Sequence, residues 1–413
     1  MPRSSIRRLF NAAKALEAQG VDVYRLDIGD PDFTMPDRMS EAISAALARG
    51  ETHYSPMPGI PELRAAIAAH ASRQIEVMLS PAEAARGKQR TGKQLFDAAQ
   101  VVASQGATQA LNACMQLCCE RGGGVLLPAV YFPNYIQQIA LAGIDARFYQ
   151  LDERFQPRLS ELEGLATPKL CALLINTPSN PTGALFPPAT VRALYDFARE
   201  HNLWIISDEA YWDFVFEGEH LSPLAVDLEY PEAERRVLAI FSFSKSYAAT
   251  GLRMGYTVTP REDVAAQLGL LNEPLTGSLT TPLQWGMLAA LEIDDAGERR
   301  ESLHGRRQLA CDILRHSGFD VKPPAGGLFY FIDVSATGLD ADAFADALLA
   351  EEHVAVVPGS GFGLVPKRDA QGRLSFTPNE LARRCVRICF AVPEARLREG
   401  VARMASFIAR QVS

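Results

Sequence analysis

Six short apolar runs punctuate the chain up to Phe243, with helical stretches between them. They read DVYRLDIG near residue 22, QVVASQG at 100–106, GVLLP at 124–128, CALLIN at 171–176, LWIISDEAYWDF at 203–214 and VLAIFSF at 237–243. Each is rich in Val, Ile, Leu or Phe, and four of the six end at Gly, Pro or Asn, as buried strands do. Strands alternating with helices imply parallel pairing through crossovers, so the chain is predicted to be α/β with a mostly parallel central sheet flanked by helices. In such sheets ligands bind beyond the carboxyl ends of the strands, which is where chemistry should be sought.

At 413 residues the chain exceeds one typical core, and two domains are expected. The stretches from about residue 300, including GGLFYFIDV, HVAVVPGSGFG and RRCVRICFAV, read as a smaller α+β domain closing against the N-terminal segment. The division is 1–48 for the N-terminal part of that small domain, 49–299 for the large domain and 300–413 for the rest of the small one. The net charge of −8 marks no surface for nucleic acid or acidic membrane. No run of eighteen apolar residues suggests a membrane span. The basic start lacks the apolar core of a secretory signal. Instead Ile6, Leu9, Ala13 and Leu16 follow helical spacing up to Gly20, so a cytoplasmic location is the default. Seven cysteines and seven histidines show no metal-ligand spacing, and packing explains the cysteines.

The strand ends carry the chemistry. Lys245 follows VLAIFSF, where burial lowers an ammonium's pKa and makes the amine nucleophilic, as a Schiff-base lysine requires. Ser242 lies three residues before it, and Arg253 eight after, preceded by Gly251. QVVASQG runs into a helix starting near Gly106, Ala107 and Thr108, where free amides and the helix dipole make an anion site. Asp208 and Glu209 end another apolar strand, where uncompensated carboxylates are costly. CALLIN leads into TPSNPTG, a turn held by Asn180, Pro181 and Gly183. Arg387 sits inside an apolar strand, and Gly29 in a Gly/Asp/Pro turn can approach a ligand closely.

Together these strings resemble the signatures of the class I/II, fold type I, pyridoxal-phosphate-dependent aminotransferases, in family order along nearly the whole chain. The resemblance implies pyridoxal 5'-phosphate on Lys245, with Ser242, Arg253, Gly106, Ala107 and Thr108 holding its phosphate. It implies Asp208 as partner of the pyridine nitrogen, and Asn180 and Tyr211 on the phenolic oxygen. The ring-stacking position of the family's Y-P-x-Y falls on Phe132, with Tyr131 competing. Lys245, Asp208 and Tyr211 are then catalytic, and Gly29, Asn180 and Arg387 bind substrate, Arg387 gripping the α-carboxylate. HYSPMPGIPELRAAI is similar to a family string whose tyrosine, here Tyr54, reaches the phosphate of the neighbouring subunit, so a homodimer is expected.

The implied reaction moves an amino group between an α-amino acid and a 2-oxo acid. No arginine occurs between Arg261 and Arg299 to read a second carboxylate, which favours neutral or aromatic side chains. A lyase or cyclase eliminating at the β or γ carbon on the same scaffold is the alternative. A regulator with an aminotransferase-like domain would add a basic DNA-binding segment, and none is seen before Ile28. Residues 80–97 read as a solvated insertion or a flap over the substrate mouth.

Overall fold

The computed structural model describes residues 5–79, 94–293, 296–368 and 374–412. Most of the 80–97 insertion therefore lies outside the described residues. Seven strands form the main sheet: β1 (Val101–Ser104), β2 (Gly124–Pro128), β3 (Asp145–Tyr149), β4 (Leu170–Asn176), β5 (Trp204–Asp208), β6 (Val237–Ser242) and β7 (Gly255–Val258). Their order is β1-β7-β6-β5-β4-β2-β3. The ladders β6-β5, β5-β4, β4-β2 and β2-β3 are parallel, and β7 is antiparallel to both β6 and β1. Only β7 runs against the rest.

Three details depart from the sequence expectation. The apolar run near residue 22 does not join this sheet. Its two-residue strand Tyr24–Arg25 pairs in parallel with Val354–Ala355. Strands β3 and β7 were not expected. β3 is an edge strand with alternating exposure, and β7 follows β6 after two single helical turns. That connection holds no crossover helix, and the chain returns antiparallel. The third concerns residues 272–282, NEPLTGSLTTP, whose Pro274, Gly277 and Pro282 read from the sequence as a loop. The helix Glu262–Thr276 runs through its first half, with Pro274 in the last turn, and the helix Thr281–Ala290 takes up after Gly277.

The central strands are buried along most of their length, and apolar clusters lie on both faces of the sheet. A third cluster joins Leu9, Ala13, Val23 and Leu26 to residues from Leu303 to Ile408, with Tyr211 and Phe214 reaching into it. Within it, Cys385–Cys389 is the central strand of three, flanked antiparallel by Phe329–Asp333 and Val357–Pro358. The N-terminal segment is fastened there by hydrogen bonds from Leu26 N to the Ala355 carbonyl and from Cys389 N to the Leu26 carbonyl, 3.0 and 2.7 Å.

Candidate active site

A cleft of about 350 Å³ opens where β4, β5 and β6 end. It is lined by Gly29, Ala107, Thr108, Phe132, Asn180, Asp208, Tyr211, Ser242, Lys245, Arg253 and Arg387, all named from the sequence. Parallel strands share one carboxyl edge, so residues far apart in the chain converge there.

The anion corner is built by close backbone approach. β1 ends at Ser104, and Gly106, at φ 75°, turns the chain into the helix Gly106–Cys118. A Cβ on Gly106 would lie 2.7 Å from Nη2 of Arg253, so only glycine lets the guanidinium rest against this turn. Gly255 has the same function from the other side: a Cβ there would lie 2.8 Å from the Ala107 amide nitrogen. Arg253 itself takes a left-handed conformation, φ 55°, and Nη1 donates to the Thr250 carbonyl at 2.8 Å. Ser242 caps the single-turn helix Phe243–Ser246, its hydroxyl oxygen accepting from the Ser244 amide at 3.1 Å.

Lys245 lies on the cleft wall and donates to the Gly29 carbonyl. Burial lowers its pKa to about 8. Asp30 opposes that shift, and Arg387 and Arg253 add to it. Asp208 is buried at the end of β5, and burial raises its carboxyl pKa. A 2.6 Å bond from the Tyr135 hydroxyl and a 3.1 Å bond from the Ala210 amide favour the ionised form. The side chain of Asn176, at the end of β4, donates to the Asp208 carbonyl at 3.1 Å and accepts from the Asn180 amide at 2.9 Å. The TPSNPTG turn is thereby tied to the tip of β5. Tyr211 is buried edge-on to Phe329, and burial raises its phenol pKa.

Arg387, 5% exposed, comes from the central strand of the C-terminal sheet. Nη1 donates to Asn180 Oδ1 at 3.1 Å and Nη2 to the Asp27 carbonyl at 2.8 Å, while Nε is buried with no partner. Its guanidinium lies over the Phe329 ring, 4.2 Å from the centroid. Burial lowers its pKa.

Between the two aromatic candidates, Phe132 lines the cleft and Tyr131 does not. Tyr131 is turned into the core against Phe148, its hydroxyl donating to the Leu364 carbonyl. Tyr54 lies apart from the cleft of its own chain and is 92% exposed. Glu163, Glu200 and His201 bring ligand atoms within 4.8 Å of one another, but both glutamates are exposed, and His201 bonds Glu163 at 3.0 Å as a surface pair does.

Sequence reasoning missed Tyr135, Ser244 and Phe10, which also line the cleft. Tyr135 is the second aromatic of the same Y-P-x-Y string, one helical turn from Phe132, so the spacing carried a signal. Ser244 directly precedes Lys245. Phe10 had none beyond an amphipathic helix.

A family model described as aminotransferase class I and II matches residues 21–404. The chain belongs to the class I and II aminotransferases. It is 33% identical over 407 residues to an aspartate/prephenate aminotransferase of Thermus thermophilus, covering 96% of this chain and 94% of that protein. An arginine–pyruvate transaminase of Pseudomonas aeruginosa is 35% identical over 358 residues, covering 85% of each. The solved aspartate aminotransferase of Thermotoga maritima superposes with a TM-score of 0.84 at 32% identity, covering 98% of this chain and 97% of that one. This aminotransferase is thus an α/β enzyme of fold type I, and these relatives lend nothing to the lyase alternative.

Proposed function

We propose that this aminotransferase works with pyridoxal 5'-phosphate and takes α-amino acids with neutral or aromatic side chains. The donor set fits that cofactor. A glycine turn at a helix start with an arginine against it suits a dianionic phosphate. A buried carboxyl suits a ring nitrogen, and an amine of lowered pKa suits the aldehyde. When bound, the cofactor supplies an electron sink for the carbanion left at the substrate's α-carbon.

Gly106, Ala107, Thr108, Ser242 and Arg253 would hold the phosphate, and the ring of Phe132 would stack on the pyridine. Asp208 would pair with the ring nitrogen, while Asn180 and Tyr211 would hold the phenolic oxygen. Lys245 Nζ would take the proton from the substrate α-carbon and hand it on across the transferred nitrogen, two atoms away. Arg387 forks the α-carboxylate, supported by Gly29 and Asn180.

One observation carries the substrate reading. Among the described residues, the cations lining the cleft are Lys245, Arg253 and Arg387, and the first two would be engaged with the cofactor. One guanidinium remains for one carboxylate, and the other walls include Ile28, Leu111, Phe132 and Phe329. A second carboxylate would be desolvated there without a partner. Half-reactions with a panel of amino acids, followed by the spectrum of the cofactor and the 2-oxo acid released, test this. Phenylalanine, tyrosine or leucine should react well ahead of aspartate and glutamate, and the reverse order would overturn the reading.

We also infer a homodimer in the cytoplasm. A tyrosine as exposed as Tyr54 suits a contact with a second copy, and an amide-lined hollow of about 620 Å³ borders Thr108 and Arg253, beside the phosphate residues. All seven cysteines are free thiols, as in a reducing compartment. We read residues 1–48 and 300–413 as one small domain on a large cofactor domain, 49–299. A monomeric sedimentation mass for the loaded enzyme would exclude the dimer.

A further inference from the structure

The helix Ser5–Ala18 looks like an ordinary amphipathic element, with Leu9 and Ala13 buried. Phe10 is half-buried, yet it lines the cleft. Its ring is not left to pack by shape alone. The guanidinium of Arg25 lies 4.7 Å from the ring centroid and Lys14 Nζ 5.0 Å from it. Arg25 in turn forks the buried carboxylate of Asp27, Nε to Oδ1 at 2.8 Å and Nη2 to Oδ2 at 2.9 Å. Its Nη1 reaches Glu17, on the same helix as Phe10, at 3.2 Å. Asp27 completes the run, because its carbonyl accepts from Nη2 of Arg387 at 2.8 Å. A continuous set of contacts thus leads from an aromatic ring at the cleft to the arginine assigned to the substrate carboxylate.

We propose that Phe10 reads the substrate's side chain, and that Arg25 is the positioning residue that fixes Phe10 relative to Arg387. The proposal rests on the neutral-or-aromatic reading above and names the residue behind it. An aromatic wall gains offset or edge contact with an aromatic side chain, and a carboxylate facing it loses hydration without a partner. The fork on Asp27 needs a planar guanidinium, which lysine cannot supply.

The test uses the loaded enzyme and kcat/KM for phenylalanine, leucine, alanine and aspartate. In Phe10→Ala the phenylalanine-to-alanine ratio should fall about tenfold, in the range that loss of a few apolar contacts gives. In Phe10→Leu, which keeps an apolar wall, the leucine-to-alanine ratio should stay high while the phenylalanine-to-alanine ratio falls. Arg25→Lys should lower the phenylalanine-to-alanine ratio about threefold with the sequence at position 10 intact. These ratios cancel losses of cofactor or folded protein. If Phe10→Ala and Phe10→Leu both keep the wild-type ratios while the wild type prefers phenylalanine, the proposal fails and the substrate reading stands. If the wild type prefers aspartate, and Lys14→Met removes that preference, the substrate reading itself fails and Lys14 is the side-chain reader.

Discussion

The Tyr135 hydroxyl donates to Oδ2 of Asp208 at 2.6 Å, inside the core at the tip of β5. Burial pushes this carboxyl toward its neutral form, and the phenol is the largest force opposing that push. A hydrogen bond to a charged group contributes about 1.5–3 kcal/mol. Tyr135→Phe should therefore raise the Asp208 pKa and weaken its hold on the ring nitrogen. We expect kcat to fall about tenfold, with the acid limb of the kcat–pH profile moved upward. An unmoved limb would show that Tyr135 acts only in packing.

Lys245 should give the apoenzyme a distinct pH dependence. The neutral amine attacks the aldehyde, and burial lowers the amine's pKa to about 8 rather than 10.5. The rate of pyridoxal phosphate uptake should rise with pH up to about 8 and then level. The same sign governs stability. A depressed lysine pKa favours the folded state at high pH, and that contribution is lost as pH falls from 10.5 to about 8. A rate still climbing steeply at pH 10 would contradict the lowered value. Lys245→Ala should abolish turnover while leaving the fold intact by circular dichroism.

Arg387 is held from two sides and offers a planar fork. Arg387→Lys keeps the charge but loses the paired geometry. We expect KM for the amino acid to rise about 100-fold, with cofactor affinity within about twofold of wild type. Equal losses in both would mean that the substitution had disturbed the sheet.

Gly106→Ala asks for a Cβ 2.7 Å from Arg253 Nη2 at a φ that L residues rarely adopt. The guanidinium must move off the turn. Equilibrium dialysis of pyridoxal phosphate should show affinity reduced at least about tenfold, with the amino-acid preference unchanged. Wild-type affinity would remove this turn from the phosphate site.

What could be read from the sequence, and what could not, follows from where each residue sits. Lys245, Asp208 and Asn180 stand at strand ends marked by apolar runs, and a parallel sheet sends all such ends to one edge. Arg387 was conspicuous as a charge inside an apolar strand. Phe10 stands on a helix whose pattern is satisfied by packing, and its approach to the cleft depends on Arg25 and Asp27, contacts that no periodicity encodes. β7 is four residues long and contains a glycine, so it carries almost no pattern, and the connection before it holds no crossover helix to mark its direction. The end of NEPLT as helix depended on the tertiary fit of Glu262–Thr276, against the local signal of Pro274.

The last strand, Cys385–Cys389, grips the segment after Tyr24 through Leu26 and Asp27. A ribosome finishes the lysine and carboxylate end of the cleft more than a hundred codons before it makes this strand. A chain ending short of Cys385 lacks Arg387, and with it the guanidinium at the other end of the cleft. The cleft has both its ends only when the tail of the polypeptide has come home to its head.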